Sequence, residues 1–193
     1  MRPSRHADPR QHLLHAALRA FARRGYDGAG MRDVAHEADV APSLLYHYFT
    51  GKEALLHAAF QHSTRLVLEA FLVASAVPEP RARLGALLQV SARLVRENVD
   101  FWRVSYGVRF QSSVLDTLTE GVAASHAAWL ANFTTLFRDL GHPEPEVEAR
   151  VLFGSLDGCF QHFVLDPEHY PLDAVVRRLT LDHGGTLPTE TPA

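Results

Sequence analysis

Between residues 41 and 56 the chain reads APSLLYHYFTGKEALL. Ser43, Tyr46, His47 and Tyr48 put a hydroxyl, two phenols and an imidazole within six residues, and the chain's only lysine, Lys52, follows shortly after. A short core helix would want leucines and valines there. These groups instead suit nucleic acid: hydroxyls, phenols and imidazoles meet base edges and phosphate oxygens, and an ammonium meets phosphate. Competing chemistries leave weaker traces. His36-Glu37-Ala38-Asp39-Val40 starts like a His-Glu-x-x-His zinc-protease site but has valine where the second histidine belongs. Gly51-Lys52 lacks the upstream glycine and the following Ser/Thr of a phosphate loop. Cys159 and His162 adjoin within a helical stretch with no evident orienting carboxylate. His12 with His15, and His57 with His62, show no spacing to further metal ligands. The expectation is a protein that is not an enzyme and needs no metal or cofactor.

Elements that position the polar cluster can be read from periodicity. Leu45 and Phe49, four apart, give a helix from Pro42 to Phe49 its apolar face, leaving Pro42, Ser43, Tyr46 and His47 opposite. Leu44 lies on the flank, and Tyr48 and Lys52 point sideways. Upstream, Val34, Ala35 and Ala38 mark a second short helix from about Met31, and Asp39-Val40-Ala41 supplies the turn. A longer helix precedes the pair, opened by Asp8 and Pro9 and stopped by Gly25. Another follows from Lys52 to about Ala76, ended by Pro78. Two short helices braced by a longer one on each side form a helix-turn-helix, whose second helix fits a major groove.

Beyond Pro80 the pattern stays helical: Arg81 to Asn98, Asp100 to about Ser113, Leu118 to Leu140, Glu144 to Leu165 and Leu172 to Leu181. The segment from Asp100 is apolar on two sides, with Phe101, Val104 and Val108 on one and Trp102, Tyr106 and Phe110 on the other, as in a buried helix. Without strand alternation or internal repeats, the expected fold is all-α. Expected boundaries are a DNA-binding domain over 1–52 with a flexible arm at 1–8, a regulatory domain over 53–183, and a disordered tail over 184–193.

Charge supports this division. Net charge is −3, yet residues 1–62 carry eight basic against six acidic side chains, and residues 63–193 eleven against sixteen. The sign suits an N-terminal part facing phosphates. One cysteine excludes an internal disulfide, and no stretch has the length and apolarity of a membrane span, so a cytoplasmic location is expected.

The stretch MRDVAHEADVAPSLLYHYFTGKEALL resembles the tetracycline-repressor-type (TetR-type) regulators. The match rests on Val34-Ala35, Ala38, Val40, Leu45-Tyr46-His47-Tyr48-Phe49 and Lys52-Glu53-Ala54-Leu55, with Phe21 and Gly25-Tyr26 in step upstream. Three positions depart from the family's habit: Asp39 stands where glycine is common, Gly30 where Thr or Ser caps, and Ala41 where Ser is usual. The resemblance implies Arg32 at a base or phosphate, Pro42, Ser43, Tyr46 and His47 at bases or sugars, and Tyr46, Tyr48 and Lys52 at phosphates. Leu44 then touches a thymine methyl. Arg2, Arg5 and Arg10 either enter a minor groove or belong to a loose terminus.

The resemblance further implies a homodimer on palindromic double-stranded operator DNA, built from the last two long helices through Ala127, Phe133, Phe137, Val151, Gly154 and Gly158. It also implies a pocket for a small, largely apolar effector, for which Trp102, Tyr106, Arg109 and Phe110 are the candidates, with Arg103 beside them. The expected function is a repressor released by that effector. The alternative is a helical dimer or ligand-binding protein that binds no DNA.

Overall fold

A computed structural model describes residues 8–109 and 112–187, with side chains throughout except over 112–125. Among the described residues the order is α1 (Pro9–Arg24), α2 (Met31–Glu37), α3 (Pro42–Tyr48), α4 (Lys52–Ser75), α5 (Pro80–Glu97), α6 (Val99–Val108), α7 (Ser112–Asp139), α8 (Pro145–Leu165) and α9 (Leu172–Asp182), with no strand. The chain forms two compact units. The first comprises Met1–Thr64 with Asp100–Glu120, the second Arg65–Val99 with Gly121–Ala193.

The first unit is wider than the 1–52 expected from sequence. It runs along α4 to Thr64 and takes in α6, because one apolar cluster spans both. Leu13, Leu14, Phe21, Val34, Leu45, Leu55 and Leu56 form its centre, and Phe101, Val104 and Val108 of α6 complete it, with Phe101 edge-on to Phe60 at 5.2 Å. The two-sided apolarity of α6 therefore has a local cause: its inner face fills the same core as the helix-turn-helix.

The second unit packs α5 against α8 and α9, and α8 against α9. Leu84, Leu87, Leu88 and Val95 of α5, Phe133, Leu136 and Phe137 of α7, and Leu152, Leu156 and Val176 are among its buried residues. Arg83 links α5 to Asp139 at 3.0 Å, and Arg96 links it to Asp173 at 2.5 Å. The chain end departs from expectation over 184–187. Thr186 N–H donates to the Arg81 carbonyl at 3.0 Å, and Arg81 Nη1 donates to the Gly184 carbonyl at 2.8 Å. Gly85 permits this approach, since a Cβ there would collide with the Thr186 carbonyl. Residues 188–193 of the expected tail, and 1–7 of the arm, lie outside the described residues.

Candidate nucleic-acid interface

The reading surface is set by how α2 ends and α3 begins. At the end of α2, Val40 N–H donates to the Ala35 carbonyl and Asp39 N–H to the His36 carbonyl, with Asp39 at φ 54°. That is a Schellman turn with a left-handed residue just past the helix, a position glycine usually fills. Aspartate tolerates it better than most side chains, so the sequence departure leaves the turn geometry intact. His12 Nε2–H of α1 donates to the Ala38 carbonyl at 2.8 Å, satisfying a terminal acceptor of α2 from outside.

At the other end of α2, Gly30 offers no side-chain cap, and Asp33 compensates by accepting from the Gly30 N–H at 2.8 Å. Arg24 of α1 pairs with the same carboxylate. Glu37 is gripped by Arg19 Nε at 2.7 Å and Arg23 Nη1 at 2.9 Å. The Arg19 hydrogen bond holds the Glu37 carboxyl below its ordinary range. Three α1 arginines therefore serve α2 as tethers.

On α3, Leu45 is fully buried and Phe49, just past its end, is 4% exposed. Everything between and before them faces out: Pro42, Ser43, Leu44, Tyr46, His47 and Tyr48 are all exposed, Tyr46 by 55%. His47 and Tyr48 rings meet edge to face at 5.3 Å. Arg32 projects into solvent from the start of α2. Pro42, which has no N–H, opens α3 without a side-chain cap from Ala41, and the Leu44 N–H donates to the Ala41 carbonyl at 3.0 Å. Arg10 lies with its guanidinium 5.4 Å from the Phe49 ring centre. Beside this surface an open cleft of about 600 Å³ is lined by Thr50, Gly51, Lys52, Glu53, Ala54 and His57.

Lys52 sits differently from its neighbours. Its Nζ donates to the Tyr26 carbonyl at 2.7 Å and lies 4.2 Å from the Tyr26 ring centre. Nothing in the spacing of residues 26 and 52 announces this pairing in the sequence.

The residues offered for an effector pocket divide. Trp102 and Tyr106 are half-buried on α6, their rings 6.1 Å apart, and Trp102 packs against the core of the first unit. The Arg109 guanidinium stacks over Tyr106 at 4.7 Å, so it is engaged with an aromatic face. Phe110 lies outside the described residues. Those offered for a subunit interface divide too. Phe133 and Phe137 are fully buried within the second unit, which corrects their assignment: in the single chain they already fill the core and present nothing to a partner. Ala127, Val151 and Gly154 are exposed, and Gly158 is partly so. A Cβ added at either glycine would meet no atom within 4 Å.

An exposed recognition helix held on a small helical core, followed by a second helical unit, defines a helix-turn-helix DNA-binding regulator. Residues 13–59 match the family of bacterial regulatory proteins called tetR, and residues 80–183 match the BetI-type transcriptional repressor C-terminal family. The chain belongs to the TetR family, with a C-terminal part of the BetI type. The HTH-type transcriptional regulator BetI of Brucella anthropi is 33% identical over 101 residues, 50% of this chain and 52% of that protein. The matched region thus spans about half the length of that curated relative. A TetR-like transcriptional regulator from Rhodococcus sp. RHA1 shares the fold at TM-score 0.80 and 23% identity, covering 93% of this chain and 96% of its own. Bacillus subtilis FadR, solved in complex with stearoyl-CoA, does so at TM-score 0.73 and 16% identity, over 91% of this chain and 99% of its own.

Proposed function

We propose that the chain is a transcriptional repressor that binds a palindromic operator as a homodimer in the cytoplasm and is released by a small, largely apolar effector. The observation that carries this reading is the outward face of α3. Two phenols, an imidazole and a serine hydroxyl are exposed on a helix anchored by Leu45 and Phe49 alone. Ser43, Tyr46 and His47 take base edges and sugars, with Pro42 and Leu44 against thymine methyls. Tyr46, Tyr48 and Arg32 take the phosphates bordering the groove.

Dimerisation follows from the same geometry, because two recognition helices must enter successive major grooves ~34 Å apart. The exposed stripe of α8, with Val147 and Val151 about half exposed beside Gly154, is the surface for it. Release is a population shift: the effector favours a state in which the separation of the reading heads no longer fits. Weakening binding a hundredfold needs a preference of about 2.7 kcal/mol for that state. The flank of α6 that carries Trp102 and Tyr106 takes the effector. The opposite face of the same helix lies in the DNA-binding core, so displacing α6 disturbs the reading head directly. The complex of FadR with stearoyl-CoA supports a ligand with a long apolar chain for this fold.

Anisotropy titrations against duplexes tiling the DNA beside the chain's own gene test the reading. Specific binding in the range ~10⁻⁸ to 10⁻¹¹ M, with a steep salt dependence, is expected. Tyr46→Ala weakens it by about 1–3 kcal/mol without altering the fold. A folded dimer that binds no duplex supports the alternative, a helical ligand-binding protein without a regulatory role.

A further inference from the structure

The single lysine is the side chain that the reading surface leaves unexplained. All eighteen other basic residues besides histidine are arginines; here the charge is compact and on a flexible stem. Lys52 is the first residue of α4, where the N-terminal partial charge of a 24-residue helix disfavours a cation. It turns away from that end and lodges on the corner between α1 and α2. There its Nζ donates to the Tyr26 carbonyl at 2.7 Å and covers the Tyr26 ring at 4.2 Å.

The corner is itself rigid. Tyr26 packs edge-on against Phe21 of the core at 5.4 Å and follows Gly25, whose φ of 72° turns the chain away from α1. Burial pushes the Tyr26 phenol above its ordinary range, ahead of the nearby Glu53 and Asp27 carboxylates. Both partners of the ammonium are therefore held in place before any DNA arrives.

We infer that Lys52 is a positioning residue: it latches the start of α4 to the α1–α2 corner, and through that corner sets where α2 and α3 stand. The inference rests on the operator-binding reading and reassigns one residue within it. Phosphate near this cleft then falls to Thr50 and the first N–H groups of α4, while the lysine keeps its place when DNA binds. The latch also makes α4 and the reading head move together, so that a tilt of α4 is transmitted through one ammonium.

Because the chain has one lysine, a ¹³C-lysine label gives one ε-methylene signal, and the experiment reads it directly. In the free protein the signal is expected upfield, shifted by the Tyr26 ring, and Tyr26→Leu should return it to the position of a solvated lysine. On adding the bound duplex the upfield shift should persist. In parallel, Lys52→Met should weaken binding roughly tenfold, Lys52→Arg should recover most of that affinity, and the slope of log K against log salt should stay at the wild-type value. A signal that leaves the ring on DNA binding overturns the latch. So does a salt slope reduced by about 1.8 in Lys52→Met, the signature of two phosphates, one neutralised by the lysine of each subunit. If Lys52→Met does not fold, the label in the wild type still decides. Failure of the wild type to bind any duplex is a separate result: it removes the operator reading, and an unshifted lysine in the free protein removes the latch.

Discussion

The outward faces of α3 and α8 are both surfaces that one chain leaves uncovered, and their chemistry is opposite. On α3 the exposed side chains are long, aromatic and hydrogen-bonding: Tyr46, His47, Tyr48 and Ser43. On α8 the exposed stripe of Val147, Val151 and Gly154 is short and apolar, flanked by Glu146 and Arg150, and Leu165 at the end is 75% exposed. The first face can satisfy a polar, grooved, charged partner, and its side chains reach outward to do so. The second is a narrow stripe without reach between polar flanks, suited to the close approach of another apolar helix. Exposure alone does not name a partner, but reach and polarity together do.

The largest expected effect comes from removing the support of the first face. Leu45 is the one fully buried side chain of α3, so Leu45→Ala should cost about 2–5 kcal/mol in the first unit. Thermal melting should show a destabilised protein, and operator affinity should fall even though every outward residue of α3 is retained. Intact binding by Leu45→Ala would mean that α3 does not need its anchor, and the contrast between the faces would lose half its basis.

The second face is tested without touching the fold. A Cβ at Gly154 meets no neighbouring element within 4 Å, and leucine is a better helix former than glycine by up to ~1 kcal/mol. Gly154→Leu should therefore keep the helix content of the wild type, while sedimentation shows monomer. Operator affinity should drop at least about a hundredfold, or ~2.7 kcal/mol, with engagement of the second half-site abolished. A Gly154→Leu dimer of wild-type stability would move the subunit contact to another surface.

How much of this was legible in the sequence differs between the two units. Leu45 and Phe49 at a spacing of four pointed to the outer face of α3 before any coordinates, because a helix that short has room for only one buried stripe. Phe133 and Phe137 have the same spacing, yet periodicity marks only a buried side and cannot say whether the chain itself or a partner covers it. They are core. Periodicity marked Phe101, Val104 and Val108 as the inner face of α6, but not that this face fills the core of the first unit across a long stretch of intervening sequence, which no local pattern reports. Lys52 on Tyr26 and the chain end on Gly85 are long-range backbone contacts, and these leave no trace in side-chain spacing.

A smaller effect distinguishes turns of the same design. The turns after α2, α7 and α9 share one hydrogen-bond pattern, closed by Val40 on Ala35, His142 on Phe137 and Gly185 on Thr180. Gly141 and Gly184 hold the left-handed position at φ 75° and 79°; after α2 the residue is Asp39 at 54°. Left-handed backbone costs a side-chain-bearing residue roughly 1–2 kcal/mol, less for aspartate, so Asp39→Gly should stabilise the first unit by about 0.5–1 kcal/mol. Denaturant titration checks it, and operator affinity should not change, since the turn already has the required geometry. A destabilised Asp39→Gly would show that the carboxylate has a stabilising contact of its own.

The smallest effect belongs to the tethers beneath the reading face, and it is visible only as a function of pH. Glu37 accepts from Arg19 and Arg23, and the Arg19 bond holds its carboxyl below the ordinary value of 4.5. A lowered folded-state value means stability that is present above the unfolded-state value and lost as pH falls through the folded one. The arginines are partly solvated, so the contribution is roughly 0.5 kcal/mol after screening. Wild type should therefore exceed Glu37→Gln in stability at pH 7 by about that amount, and the two should converge as the solution is acidified below the ordinary glutamate range. Denaturant midpoints measured from about pH 7 down to about pH 3 decide the matter. A gap that stays constant with pH would assign the role of Glu37 to packing rather than charge. A gap that closes would show that α2 is held under the recognition helix by ionised pairs with α1, so that the polar reading face rests on polar supports.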